Sequence, residues 1–319
     1  MRLLFAFLLL LPCFAQQPIP IIFDTDIGDD IDDALALALA LQSPELEVRL
    51  ITTVIDDTES RTRLAWNELG LYGRRDIPLA TGALEPLLDP VRAGRARQFE
   101  VLTPEDTVPA AARRHAATAV VETLRSSRQK LTVVPVGPLT NIALALKLDP
   151  GIKEKIERIV LMGGAFDLLR SEYNIRRDRA AAQIVFASGV PITAVGLDVT
   201  TRCKLEGADL DRLRAADNPA SRFLVRLIGL WQNNRPDQYP TLHDPLAVAV
   251  AFEPRLVETQ LGRVEVETSS PLTNGMTLFT AADRLPKDAR ASTLVARQVN
   301  VRRFLDLFVE RLSASARGR

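Results

Sequence analysis

Six carboxylates fall within ten residues, directly after a short apolar run, and few folds tolerate that arrangement. Residues 19–23 (Ile-Pro-Ile-Ile-Phe) read as a buried strand. The next ten are Asp24-Thr25-Asp26-Ile27-Gly28-Asp29-Asp30-Ile31-Asp32-Asp33. Carboxylates this close repel one another unless each is fully hydrated or a cation neutralises them. In an open α/β sheet, ligands bind beyond the carboxyl ends of the strands, where this loop lies. Oxygen-only donors point to a hard cation, Ca2+ or Mg2+. The plainer alternative is a solvated acidic turn with a helix-capping Asp. A loop fed directly by a strand favours a functional role over it. After Asp33 the chain alternates Ala and Leu up to Leu41. Both are strong helix formers and no β-branched residue intervenes, so a helix is expected from near Asp32, with carboxylates at its positive end.

Strand and helix signals then alternate. Strands are expected at residues 46–54, 77–81, 131–136, 159–162 and 192–195, and helices at 61–71, 110–125, 140–148 and 180–187. This order predicts the α/β class: a Rossmann-like open, mostly parallel sheet flanked by helices. Residues 86–109, rich in Gly, Arg and Pro, read as a surface excursion. No repeat, low-complexity tract or linker divides the chain, so residues 16–319 read as a single domain.

Composition narrows the function classes. The chain carries 40 basic and 40 acidic side chains, which argues against a nucleic-acid binder. A hydrophobic content of 47% excludes a disordered chain. Two cysteines exclude a disulfide framework, and two histidines exclude a His-rich zinc site, so any metal site leans on carboxylates. Residues 1–15 read as a secretory signal peptide: a basic start, an apolar run to Leu11 and a small residue, Ala15, before the cut. Lipid anchoring at Cys13 is the rival reading. An exported protein, periplasmic or extracellular, is therefore expected, with no stable membrane insertion after the leader is removed. Cys203 would then be its lone thiol.

Three metal-using patterns fit a strand followed by acids. An EF-hand loop counted from Asp24 needs Gly sixth and Glu twelfth, where this chain has Asp29 and Leu35. A phosphatase of the haloacid dehalogenase type would use Asp24 as nucleophile and Asp26 as acid/base. It lacks here the Gly-Thr expected after the second Asp, and it leaves Asp32-Asp33 unexplained.

The third pattern extends along most of the chain. Asp24-Thr25-Asp26-x-Gly28 with Asp32-Asp33-Ala34-Leu35 resembles the signature of the inosine–uridine preferring nucleoside hydrolases. Ile51-Thr52-Thr53-Val54, Gly137-Pro138-Leu139-Thr140-Asn141, Met162-Gly163-Gly164 and Glu172-Tyr173-Asn174 are similar to further family blocks, in order. Gly196-Leu197-Asp198-Val199-Thr200 and His243-Asp244-Pro245-Leu246 complete the series. One block alone is weak; the ordered set is specific.

The resemblance implies a Ca2+-dependent N-ribohydrolase that cleaves nucleosides to free base and ribose. By likeness, Asp26, Asp33, Asp244 and the main-chain carbonyl of Val136 hold the Ca2+, with Asp30 an alternative ligand. Asp32 and Asn174 hold the ribose hydroxyls, Glu172 holds the ribose, Asp26 is the general base and His243 acts on the leaving base. The chemistry is coherent: a carboxylate-rich pocket stabilises an oxocarbenium-like sugar, and a metal-bound water beside an Asp is easier to deprotonate. His115, in an Ala- and Arg-rich helix, reads as a surface residue.

The match departs from the family in places. Asp56-Asp57 stands where an Asn is common, making Asp57 a candidate ribose contact. Residues 165–171 are short and lack a Gly-Asn pair expected near the sugar, so the 5′ side is read differently and a modified riboside is an open expectation. Between Arg222 and Tyr239, Trp231 and Tyr239 are candidates for the base; ordinary helix packing is the alternative for Trp231. Trp66 reads as core. The sequence leaves purine or pyrimidine open. The expected partner is a small nucleoside, not nucleic acid, and self-association into a homo-oligomer remains open. A non-catalytic calcium- or sugar-binding protein on the same scaffold is the rival function.

Overall fold

The computed structural model describes residues 17–92, 94 and 96–314. The expected leader, residues 1–15, lies outside them. Among the described residues no helix is long and apolar enough to cross a membrane. Nine strands form one sheet: β1 (Ile19–Thr25), β2 (Leu46–Thr53), β3 (Leu79–Ala80), β4 (Leu131–Pro135), β5 (Ile156–Met162), β6 (Ile192–Val195), β7 (Val257–Val266), β8 (Thr277–Ala281) and β9 (Thr293–Val299). Their order is β3-β2-β1-β4-β5-β6-β9-β7-β8. Every pairing from β3 to β9 is parallel. Only β7 runs antiparallel, to β9 and to β8. The open, mostly parallel sheet is the expected one, and the antiparallel edge is an addition to it.

Strand β1 lies inside the sheet, between β2 and β4, and both of its faces are apolar: Ile21, Ile22 and Phe23 are fully buried. Pro20 cannot donate a ladder hydrogen bond, yet pairing with β4 begins only at Ile21, so its missing N–H is not needed there. The strand order reverses between β1 and β4. Such a switch point opens a crevice beyond the strand ends, the usual ligand position in this architecture.

The helices are α1 (Asp32–Gln42), α2 (Thr58–Leu71), α3 (Ala116–Ser126), α4 (Thr140–Leu148), α5 (Tyr173–Arg177), α6 (Arg179–Phe186), α7 (Leu197–Thr200), α8 (Gly207–Ala215), α9 (Pro219–Gln232), α10 (His243–Phe252) and α11 (Val301–Ser313). Helices α1, α8, α9, α10 and α11 share one core cluster, and α3, α4 and α6 supply the other. The Ala-Leu alternation of α1 is explained by its place: all eleven of its residues are buried. A helix apolar on every side belongs inside. Helix α10, built from Ala, Val and Leu, is buried from Asp244 to Ala251 and packs on α1.

Three local expectations change. The strand expected at 77–81 shrinks to Leu79–Ala80. The helix expected over 110–125 splits into a short 3-10 turn, Ala110–Arg113, and α3. Arg114 and His115 are extended between them, and the exposed His115 caps α3 by accepting from the N–H of Ala117 at 3.2 Å. The excursion at 86–109 is also more than surface. Gln98 and Phe99 are buried, and Gln98 Nε2 donates to the carbonyl of Asp30 at 2.7 Å. Phe99 packs against Gly28, whose φ of +125° needs a glycine and whose Cβ position the ring occupies.

Candidate active site

The loops after β1, β2, β4 and β5 meet the starts of α1 and α10 around a cavity of about 590 Å³. Asp26, Asp32, Asp33, Val136, Glu172, Asn174, Trp231, His243 and Asp244 all line it. The structure therefore brings most of the candidate residues together from five separate segments. It does not bring two others. Asp57 caps α2, accepting from the N–H of Ser60 at 3.0 Å, and the cavity is lined by Asp56 instead. Tyr239 is 40% exposed and lies off the cavity wall.

The acidic centre is built from two helix starts. Carboxylate oxygens of Asp32, Asp33 and Asp244 lie within 4.8 Å of one another, and all three residues are buried. Asp32 Oδ2 accepts from the backbone N–H of Asp244 at 3.2 Å, joining α1 to α10. Thr25 Oγ1 donates to Asp33 Oδ1 at 2.5 Å. The positive ends of two helices favour negative charge here. Burial nevertheless pushes all three carboxyls well above their usual range, and mutual repulsion adds to it. Asp26 is pushed up to about 7, chiefly by burial, with the Arg61 guanidinium opposing the shift. Carboxylates that cannot all ionise alone, with oxygen donors converging on one point, fit a hard divalent cation. Asp26 and the Val136 carbonyl flank this group, and that carbonyl accepts from Asn174 Nδ2 at 2.6 Å. Asp30 also lines the cavity, its Oδ1 accepting from the N–H of Ile31 at 2.7 Å.

Asp24 has a different job. It is fully buried, and its Oδ1 accepts from Thr52 Oγ1 at 2.5 Å and Asn141 Nδ2 at 2.7 Å. Asn141 also donates to the carbonyl of Thr53 at 2.8 Å and accepts from the N–H of Ala83 at 3.0 Å. This network ties β1, β2 and α4 together below the site, and Asp24 is off the cavity wall. A nucleophile at Asp24, as a dehalogenase-type phosphatase requires, is thereby removed.

Glu172 caps α5: Oε1 accepts from the N–H of Asn174 at 2.8 Å and Oε2 from that of Ile175 at 3.0 Å. His243 Nδ1 sits 2.7 Å from Thr200 Oγ1. Burial, with Arg170 nearby, pushes its imidazole down to about 4, so it is neutral at pH 7. Gly137 allows the closest approach in the site: a Cβ there would lie 2.6 Å from Asp26 Oδ1.

Several contributors carried no sequence signal. Arg61 is 1% exposed and donates to the carbonyls of Asp26, Ile27 and Ile55 and to Asp29 Oδ2. Arg92 and Arg170 line the cavity, and Arg177 holds Asp56 Oδ1 at 2.6 Å. An arginine in a helix or loop reads as solvated until its surroundings are known.

The sequence pattern of the inosine-uridine preferring nucleoside hydrolases matches residues 21–306. The chain is 37% identical over 311 residues to the pyrimidine-specific ribonucleoside hydrolase RihA of Salmonella agona (strain SL483), covering 92% of this chain and 98% of that protein. A solved plant nucleoside hydrolase, PpNRh1, superposes with a TM-score of 0.80 at 30% identity, covering 93% of this chain and 99% of that one. A purine-preferring ribonucleoside hydrolase from Gardnerella vaginalis superposes at 0.78 with 32% identity, with the same coverage of both chains. The chain belongs to the inosine-uridine preferring nucleoside hydrolase family and is a hydrolase of N-glycosyl bonds.

Proposed function

We propose that this protein is a Ca2+-dependent N-ribohydrolase that releases the free base and ribose from nucleosides. The carrying observation is the convergence of Asp32, Asp33 and Asp244 at the starts of two buried helices, with Asp26 alongside. Asp33 and Asp244, with Asp26 and the Val136 carbonyl, would hold the ion. When bound, Ca2+ supplies positive charge that acidifies a water and anchors two sugar hydroxyls. Asp26 accepts the proton of the attacking water. A carboxyl with a pKa near neutrality suits that task, and beside a bound dication it would be held in the carboxylate form. Asp32 and Asn174 position the ribose hydroxyls, and the surrounding carboxylates stabilise the oxocarbenium-like sugar. Glu172 borders the ribose while holding the start of α5.

His243 takes a narrower role than an acid with its usual pKa. Its imidazole is neutral at pH 7, so with Thr200 donating to Nδ1 it offers Nε2–H to the leaving base as a hydrogen-bond donor. Trp231 supplies an aromatic face on the base side. The RihA relatives are named pyrimidine-specific, which makes uridine and cytidine the first substrates to assay. The leader pattern at residues 1–15 supports export to the periplasm or beyond, tested by fractionating cells that express the full chain.

The deciding experiment is a nucleoside panel assayed for reducing sugar with and without EDTA. Release that needs Ca2+ and is lost in Asp26→Ala supports this function. Bound Ca2+ with no cleavage across the panel would establish the non-catalytic binding protein instead.

A further inference from the structure

The stretch between Gly164 and Glu172 is tied to α7, the helix whose Thr200 meets His243. The N–H groups of Phe166 and Asp167 donate to Asp198 Oδ2 at 2.9 Å and Oδ1 at 2.7 Å. Asp198 belongs to α7, and two residues on, Thr200 Oγ1 lies 2.7 Å from His243 Nδ1. The start of the stretch is also fixed to the sheet edge. Thr277 Oγ1 accepts from the N–H of Ala165 at 3.0 Å and donates to its carbonyl at 2.9 Å, and Arg297 donates to Asp167 Oδ1 at 2.8 Å. Further on, the N–H of Arg170 donates to the carbonyl of Leu168 at 2.8 Å, a tight three-residue turn. The turn leaves Leu169 97% exposed and returns Arg170 to the cavity wall, which it shares with Leu197, Trp231 and His243.

Among the described residues Arg170 joins no ion pair, whereas Arg61, Arg177 and Arg179 engage Asp29, Asp56 and Asp89. Burial first, and the Arg170 charge second, push the His243 imidazole down, so the guanidinium stands within electrostatic reach of that ring. We propose that the Arg170 guanidinium donates to the carbonyl edge of the leaving base and stabilises the negative charge that develops on it. The inference deepens the ribohydrolase reading and rests on its placing of His243 at the base. Breaking the C1′–N bond sends its electron pair to the ring nitrogen of the base and on to the ring carbonyl oxygens. The water oxygen bonds to C1′, its proton goes to Asp26, and the base departs as an anion that later takes a proton from solvent. A guanidinium keeps its charge throughout, and a charged donor aimed at an acceptor that gains charge acts most strongly in the transition state. His243 gives the base a hydrogen bond. Arg170 gives it a counter-charge, in a cavity whose many carboxylates would otherwise oppose an anion.

Binding tests this without requiring turnover. Barbiturate, a pyrimidine that is an anion at pH 7, imitates the departing base, and uracil is its neutral counterpart. In calorimetric titrations of the Ca2+-loaded protein with ribose present, barbiturate should bind about tenfold tighter than uracil. Arg170→Gln should bring that ratio near one, and Arg170→Lys should keep part of it. The side chain is exposed, so folding is not at stake. Arg176→Gln, at an exposed arginine off the cavity, should keep the full ratio. Kinetics give a second readout. Arg170→Gln should lower kcat for uridine about a hundredfold with little change in KM, as a contact made in the transition state requires. p-Nitrophenyl riboside, whose leaving phenolate is already a stable anion, should lose less than about tenfold. The two results together support the inference. Equal losses on both substrates, a rise in KM alone, or a barbiturate preference that is absent or survives in Arg170→Gln, overturns it. A preference that depends on Arg170, in a protein that cleaves no riboside, leaves the base contact standing and removes the proposed function instead.

Discussion

The buried guanidinium of Arg61 donates to the main-chain carbonyl of Asp26, fixing the acidic loop from beneath. The same side chain reaches the carbonyls of Ile27 at 2.9 Å and Ile55 at 3.0 Å, so α2 clamps the loops after β1 and β2 together. Arg61→Met would leave those carbonyls without a donor. Each buried group left unsatisfied costs about 1–3 kcal/mol, so a loss of roughly 3 kcal/mol or more is expected in urea unfolding. Arg61→Lys, which keeps the charge but not the fork, should recover stability better than catalysis.

Calcium binding should be visible as stability. At a hundredfold excess over its Kd, an ion that binds only the folded chain adds about 2.7 kcal/mol. Asp33→Asn and Asp244→Asn remove donors from the buried cluster and should abolish most of the Ca2+-dependent rise in Tm. A full rise in both variants would place the ion elsewhere.

Metal-free protein should lose stability as pH rises. Asp26 is shifted from 3.8 up to about 7, and Asp32, Asp33 and Asp244 are raised as well, all chiefly by burial. A raised folded pKa contributes stability that is complete below the unfolded value and lost as pH climbs through the folded one. In EDTA, Tm should therefore fall from about pH 4 towards pH 7 and beyond. Ca2+ should restore it, increasingly so at higher pH. A Tm in EDTA that stays level or rises over this range would contradict the assignment.

Glu68 makes a separate case outside the site. It is fully buried, neither carboxylate oxygen has a hydrogen-bond partner, and burial raises its pKa well above the usual range. Glu68→Gln should stabilise the protein at neutral pH. The gain should disappear below about pH 4, where the carboxyl is protonated folded or unfolded. Denaturation curves at pH 4 and pH 7.5 give the comparison.

Gly137→Ala should damage catalysis more than folding. The added methyl would meet Asp26 Oδ1 at 2.6 Å and the Asp26 backbone nitrogen at 2.9 Å. Displacing a catalytic group by about an ångström can cost about a hundredfold in rate. A kcat/KM within twofold of the unchanged protein would argue against Asp26 as the base.

Much of this site is local in the chain and therefore legible. Asp26 to Asp33 lie within eight consecutive residues, and His243 stands beside Asp244, so spacing alone groups them. The alternation of strands and helices likewise follows from short-range periodicity. Three features do not. Asp56 rather than Asp57 faces the cavity because the backbone turns left-handed at Ile55 and Asp56, reversing which side chain points inward. The segment containing Arg92, Gln98 and Phe99 has no periodicity, so its role as wall and support reads as loop. The antiparallel edge, β7 and β8, follows helices in the chain and joins the sheet only through long-range pairing.

Residue identity alone thus pointed to the class of chemistry: an acidic loop at a strand end fits a hard cation, and the ordered blocks resemble those of the nucleoside hydrolases. Tertiary structure decided which acids act together. Asp32 and Asp33 meet Asp244, some 210 residues later in the chain, because two apolar helices must bury every face and so pack side by side with their starts at one crevice. It also decided the protonation of His243, since burial and a neighbouring arginine, not the imidazole itself, set that proton.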